Sequence, residues 1–335
     1  MDRRELLALS LGLAAGLMLP AGAETIKADG ILSTDPAETV VLWSGTPPGG
    51  KKVRLKNRIT ERSTNLAAFH DRYMDQIGKP DLVVFRPASP NGAAVLIAPG
   101  GGYIRVVLDK EGYETARFLN ALGVTCFVLR YRLPGEGWAK DGAAGRADVP
   151  LQDVQRAMRL IRASAAQYGI DPARLGVMGF SAGGHVAASL ATRFDATVYE
   201  PRDDADKHDA KPAFAALVYP VITMGAGCHE GSRVALLGEK PTPESIATYS
   251  YEKRVRDDMM PGFITLALDD AAVPPQANGA AMFRALQEAN IPAEMHAFEI
   301  GGHGFGLRLA AGKPCAVWAD LFVRWAQSHG FIPGV

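Results

Sequence analysis

The sequence is poor in cysteine, with only Cys126, Cys228 and Cys315 in 335 residues. These are too few and too scattered for a disulfide framework or a zinc site, and the sequence leaves open whether Cys228 and Cys315 pair. It also lacks a surplus of either charge. Its 36 lysines and arginines are matched by 36 aspartates and glutamates. So balanced a chain has no basic field to hold nucleic acid or an anionic membrane, so a small or neutral ligand is expected. Internal repeats are absent, which argues against solenoids and propellers. Long apolar runs are scarce too. The stretch 6–19 near the start is shorter than the roughly 20 residues that a spanning helix needs.

That stretch follows Arg3-Arg4 and ends at Pro20 and Ala21-Gly22-Ala23. Residues 1–23 therefore read as an export signal that looks like the twin-arginine type, with an uncleaved anchor as the alternative. The mature chain is expected to start near Glu24, in the periplasm or outside the cell. Once the signal is removed, no stable membrane association is expected. Residues 24–79 form an N-terminal extension with a possible short strand at 40–43 and no assignable chemistry. Residues 80–335 are expected to form one catalytic domain.

Within that domain, short apolar runs alternate with stretches of helical spacing. Strands are expected at 81–85, 93–98, 124–129, 175–178, 213–221, 262–268 and 293–298. Helices are expected at 111–122, 151–168, 185–193, 275–289 and 315–329. This alternation indicates an α/β domain with a mostly parallel sheet. Residues 194–212 read as a polar insertion beside the site, and 225–251, with two prolines, as a small irregular cap.

Gly179-Phe180-Ser181-Ala182-Gly183 joins a strand to a small-residue helix. Strand, sharp turn and helix are the context of a G-x-S-x-G nucleophile elbow, which lifts Ser181 to the carboxyl edge of the sheet. A serine hydroxyl needs a general base. His303, between glycines just after the last strand, is the expected one. The rival, His185, lies four residues after Ser181 on the same helix and would point along it. A carboxylate must then fix the histidine tautomer. Asp269 and Asp270 stand at a strand end where adjacent side chains diverge, so only one can face the histidine. Asp270, deeper into the turn, is favoured. The backbone N–H of Ala182 and those of the Gly100-Gly101-Gly102 run are candidate oxyanion donors.

Further marks accompany these residues: Ala98-Pro99-Gly100-Gly101-Gly102-Tyr103, Leu129-Arg130-Tyr131-Arg132-Leu133-Pro134, Leu151-Gln152-Asp153 and Val218-Tyr219-Pro220-Val221. With Val273-Pro274 after the aspartates, the sequence from about Leu82 onward resembles the acetyl xylan esterase-like branch of the α/β-hydrolase superfamily. The resemblance implies the α/β-hydrolase fold and a catalytic triad of Ser181, Asp270 and His303, with the acid three residues before the valine of Val-Pro. Gly101 and Gly102 match the family's oxyanion donors, although Pro99 stands where the related lipase motif has histidine. Also implied is removal of short acyl groups from small-molecule or polysaccharide esters, without metal or organic cofactor.

Three other functions compete. Cleavage of small amides, by a formamidase or exopeptidase, would use the same residues. A glycoside hydrolase needs two carboxylates roughly 5 to 9.5 Å apart across a bond, which two adjacent, diverging aspartates cannot supply. A non-catalytic binding module would have little reason to keep serine, aspartate and histidine together.

Overall fold

The alternation of buried runs and amphipathic stretches closes into a helix-covered sheet. The computed structural model describes residues 35–138 and 145–334. The expected export signal, residues 1–23, lies outside the described residues. The strands are β1 (Thr39–Val41), β2 (Arg58–Glu61), β3 (Arg72–Asp75), β4 (Asp81–Phe85), β5 (Ala94–Ala98), β6 (Val106–Val107), β7 (Thr125–Arg130), β8 (Leu175–Phe180), β9 (Ala215–Val218), β10 (Gly262–Ala267) and β11 (Ala293–Phe298). The helices are α1 (Glu114–Ala121), α2 (Val149–Ala163), the single turn α3 (Ala165–Tyr168), α4 (Ala182–Arg193), α5 (Glu230–Leu237), α6 (Pro243–Thr248), α7 (Gly279–Glu288) and α8 (Trp318–Ser328).

The main sheet runs β1-β4-β7-β5-β8-β9-β10-β11. From β7 to β11 every pairing is parallel, while β4 and β1 close one edge with antiparallel pairings. The chain is therefore an α/β-hydrolase fold, with β1 from the N-terminal region built into the sheet. β5 and β8 are buried along their whole length. That is why they read as unbroken apolar runs: a central parallel strand is covered on both faces. Each large apolar side chain so buried contributes about 1.5–3 kcal/mol. Because these strands are parallel, the loops after β5, β8, β10 and β11 emerge at one edge, and the site forms there. A second, three-stranded antiparallel sheet, β2-β3-β6, was not foreseen. It anchors the chain just after the triple glycine, where Val106 pairs with Met74.

Two of the family marks prove to be structural. Arg132 and Asp153 are fully buried and joined through several hydrogen bonds, and Trp43 Nε1–H donates to Asp153 Oδ1 at 2.8 Å. The pair ties α2 to the end of β7 and to the N-terminal region.

Several expectations need correcting. The helix expected at 151–168 breaks at Ser164 into α2 and α3, the latter closed by Gly169 in the left-handed region (φ 62°). Residues 109–113 form a π-helical turn ahead of α1. The cap segment 225–251 carries the two short helices α5 and α6. Residues 194–212 do not wall the site. The twelve residues of α4 carry the chain roughly 18 Å from Ser181 before this segment begins. The segment then clamps α2, with Arg156 bonded to Asp203 and Asp206 and Gln152 to the Val198 carbonyl. All three cysteines are free thiols, Cys126 and Cys315 buried and Cys228 partly exposed.

Candidate active site

Ser181 follows β8 directly and holds φ 51°, ψ −120°, a strained conformation for a residue with a side chain. Two glycines make the turn possible. A Cβ on Gly179 would lie 2.2 Å from the Gly183 carbonyl oxygen, and one on Gly183 would lie 2.0 Å from that of Ala98. Ser181 N–H donates to the Val218 carbonyl and its own carbonyl accepts from Val221, so the end of β9 and the loop after it brace the elbow.

The three side chains expected to act together do meet. Ser181 Oγ lies 2.7 Å from His303 Nε2, and His303 Nδ1 lies 2.7 Å from Asp270 Oδ2. The Asp270 side chain is nearly inaccessible, at 2% exposure. Its other oxygen accepts the N–H groups of Ala272 and Val273, each at 2.9 Å. A carboxylate so held accepts from Nδ1–H and leaves Nε2 free to take the serine proton. Asp269 turns the other way, and its Oδ1 accepts the N–H groups of Gly301 and Gly302 at 2.9 and 2.7 Å. These bonds hold the Asp269 carboxyl below its usual range. One aspartate thus faces the imidazole while its neighbour fixes the loop that carries it.

His185, the rival base, is fully buried inside the helix layer. Tyr103 O–H donates to its Nδ1 at 2.6 Å, and its Nε2–H donates to the Tyr249 carbonyl at 2.8 Å. Burial pushes its pKa down to about 3, so it stays neutral and structural.

The loop expected to hold the oxyanion runs through backbone that favours glycine. Gly101, Gly102 and Tyr103 all have positive φ, at 129°, 65° and 62°. Among the described residues the N–H groups of Gly101, Gly102 and Ala182 have no protein partner, whereas that of Gly100 is taken at 2.8 Å by Glu111 Oε2. Gly100 is therefore an anchor and the other three are open donors.

Sequence reasoning missed Glu111 and Asn278, and marked Tyr219 without assigning it a role. Glu111 lies in the π-helical turn, is 3% exposed, and also accepts the Tyr219 O–H at 3.2 Å. Tyr219 Oη in turn accepts Gly306 N–H at 3.1 Å, and its ring meets that of His303 edge-on at 5.3 Å. A buried chain of hydrogen bonds thereby links the oxyanion loop to the histidine loop. Asn278 takes the N–H groups of Ile222 and Thr223 and donates to the carbonyls of Gly227 and Pro274, tying the loop after β9 to the one after β10. Nothing local marks Glu111, which shares its stretch with the acids Asp109 and Glu114; its partners lie too far away in sequence to be read.

Comparison with known proteins agrees with this fold. Residues 90–281 match the model of the BD-FAE family. An acetylxylan esterase of Xylanibacter ruminicola is 34% identical over 233 residues, covering 68% of this chain and 44% of that protein. Endo-1,4-beta-xylanase B of Butyrivibrio fibrisolvens is 37% identical over 210 residues, covering 63% of this chain and 32% of that protein. The chain thus spans less than half the length of either relative. Among solved structures, the acetyl ester-xyloside bifunctional hydrolase of Caldicellulosiruptor lactoaceticus is 29% identical with a TM-score of 0.69, covering 90% of this chain and all of that one. The chain belongs to the BD-FAE family, on an α/β-hydrolase fold.

Proposed function

We propose that this protein is a serine esterase that removes short acyl groups, acetyl above all, from carbohydrate such as acetylated xylan. The observation that carries the reading is the unbroken line Asp270–His303–Ser181, with 2.7 Å at each junction, beside three open backbone donors. His303 Nε2 takes the Ser181 proton as Oγ attacks the ester carbonyl. The oxyanion that forms accepts from the N–H groups of Gly101, Gly102 and Ala182. Collapse of this intermediate expels the sugar alkoxide, which receives the proton back from His303 and leaves an acetyl-Ser181 ester. Water, deprotonated by the same imidazole, then releases acetate.

The acetylated carbohydrate is supported by the relatives, an acetylxylan esterase and an acetyl ester-xyloside hydrolase among them. A long acyl chain would gain about 0.8 kcal/mol for each buried methylene only if an apolar groove received it. The test is kcat/KM for acetyl, butyryl and octanoyl p-nitrophenyl esters, with acetate release from acetylated xylan. Acetyl is expected to lead and xylan to yield acetate. Preference for octanoyl with no acetate from xylan would overturn the carbohydrate reading. The competing amidase reading is judged on peptide amides in the same panel. We further infer from Arg3-Arg4, the apolar stretch and Ala21-Gly22-Ala23 that the enzyme works outside the cytoplasm. An N-terminus near Glu24 on exported protein is the expected result, and retention of residues 1–23 would contradict it.

A further inference from the structure

His229 stands beside this site with one ring nitrogen committed and the other open. It caps α5: Nδ1 accepts the Ser232 N–H at 3.1 Å, and Ser232 Oγ lies 2.8 Å from the same nitrogen. A ring nitrogen that accepts a backbone N–H carries no proton, so in the neutral imidazole the proton sits on Nε2. Burial first, and then the nearby His303, push the His229 pKa down and keep the ring neutral. Among the described residues Nε2 has no protein partner, and it is not sealed from solvent. The adjoining ring atom Cε1 lies 3.9 Å from the point where a side chain on Gly102 would begin. The free donor therefore stands next to an open oxyanion-loop glycine and within electrostatic reach of His303. Farther along α5, Val234 and Ala235 line a cleft of about 300 Å³ together with Tyr103, Ile104 and Leu133.

The chemistry of an acetyl ester decides what such a donor can meet. Beyond its carbonyl, the acyl half is a methyl group with nothing to accept a hydrogen bond. The carbonyl oxygen already has the Gly101, Gly102 and Ala182 N–H groups to accept from. Only the alcohol half offers further acceptors, and in a sugar these are the hydroxyl and ring oxygens near the esterified position. We propose that His229 is a substrate-binding residue whose Nε2–H donates to such an oxygen, favouring sugar esters over esters of plain alcohols or phenols. This inference rests on the carbohydrate-ester reading above.

The test compares wild type with His229→Asn on two substrates, a mono-O-acetyl methyl xyloside and p-nitrophenyl acetate. Asparagine preserves the helix cap through its side-chain oxygen but is too short to carry the donor to the same place. The readout is the ratio of the two kcat/KM values, which cancels any difference in folded fraction. One neutral hydrogen bond supplies about 0.5–1.5 kcal/mol, so the ratio should fall about two- to thirteenfold in the variant. An unchanged ratio overturns the inference, whether both activities hold or fall in parallel, because a purely structural or oxyanion role moves them together. A wild-type enzyme that cleaves p-nitrophenyl acetate but is inert on the xyloside overturns the carbohydrate reading itself, and this inference with it.

Discussion

Asp270 meets His303 Nδ1 at 2.7 Å, while the residue before it, Asp269, points away and holds the histidine loop by two backbone N–H groups. Adjacent carboxylates at one strand end thus hold the imidazole in two different ways, one through its proton and one through the two glycines that precede it. The next two predictions concern this relay and its supports.

Asp270→Asn should lower kcat on p-nitrophenyl acetate by about 10⁴-fold at neutral pH, because the amide stabilises the wrong tautomer and cannot offset imidazolium charge. Asp269→Asn keeps an oxygen for the Gly301 and Gly302 N–H groups and should cost far less. Steady-state kinetics on both variants decides the matter, and a larger loss at position 269 would contradict the assignment.

Glu111→Gln should lower kcat about tenfold while leaving KM nearly unchanged. Glutamine replaces one of two acceptors with a donor, and in this site both positions face donors, Gly100 N–H and Tyr219 O–H. Either the Gly100 anchor or the link to Tyr219 is then lost. Loss of a whole oxyanion donor costs roughly 10²–10³-fold, and a displaced one costs less. A variant with a lower Tm but wild-type kcat would reduce Glu111 to a purely structural residue.

His185 should make the fold acid-sensitive. Its native pKa of about 3 lies below the ordinary 6.5, so between these values the unfolded chain binds a proton that the native protein refuses. The stability it contributes is complete above pH 6.5 and lost as pH falls toward 3, by up to about 1.4 kcal/mol per unit. Urea denaturation at pH 7 and pH 5.5 should show about 1 kcal/mol less of this loss in His185→Gln than in wild type. Equal losses would contradict the assignment.

Asp153→Ala should destabilise the protein by about 3–5 kcal/mol, because Arg132 would be left buried at 0% exposure without its counter-ion. The same denaturation measurement tests this, and a loss below about 1 kcal/mol would show that the cluster relaxes.

The parts of the site legible in the sequence are those whose cause is local. Ser181 is marked by glycines four residues apart whose missing side chains let the elbow close. Asp270 is marked by the short turn in which its own oxygen takes the Ala272 and Val273 N–H groups. The strands were legible because full burial leaves unbroken apolar runs. Tertiary partners were not. Tyr219 and Glu111 are 108 residues apart, and nothing near either one announces the other. The cap helices hid for a different reason. Pro243 suggested a loop, but it occupies the first turn of α6, where a missing N–H costs nothing, behind the Thr242 cap. The strands β2 and β3 hid because Arg58–Glu61 and Arg72–Asp75 are short and mostly polar.

The central claim is that one serine does the chemistry, and it is tested most directly by acetate release from acetylated xylan by wild type and Ser181→Ala. Ser181 occupies a turn at the sheet edge, so the variant should keep the wild-type circular dichroism spectrum. Its rate should fall by about 10³-fold or more, leaving only what the oxyanion donors supply. A folded Ser181→Ala protein that releases acetate at more than about a tenth of the wild-type rate would contradict the account.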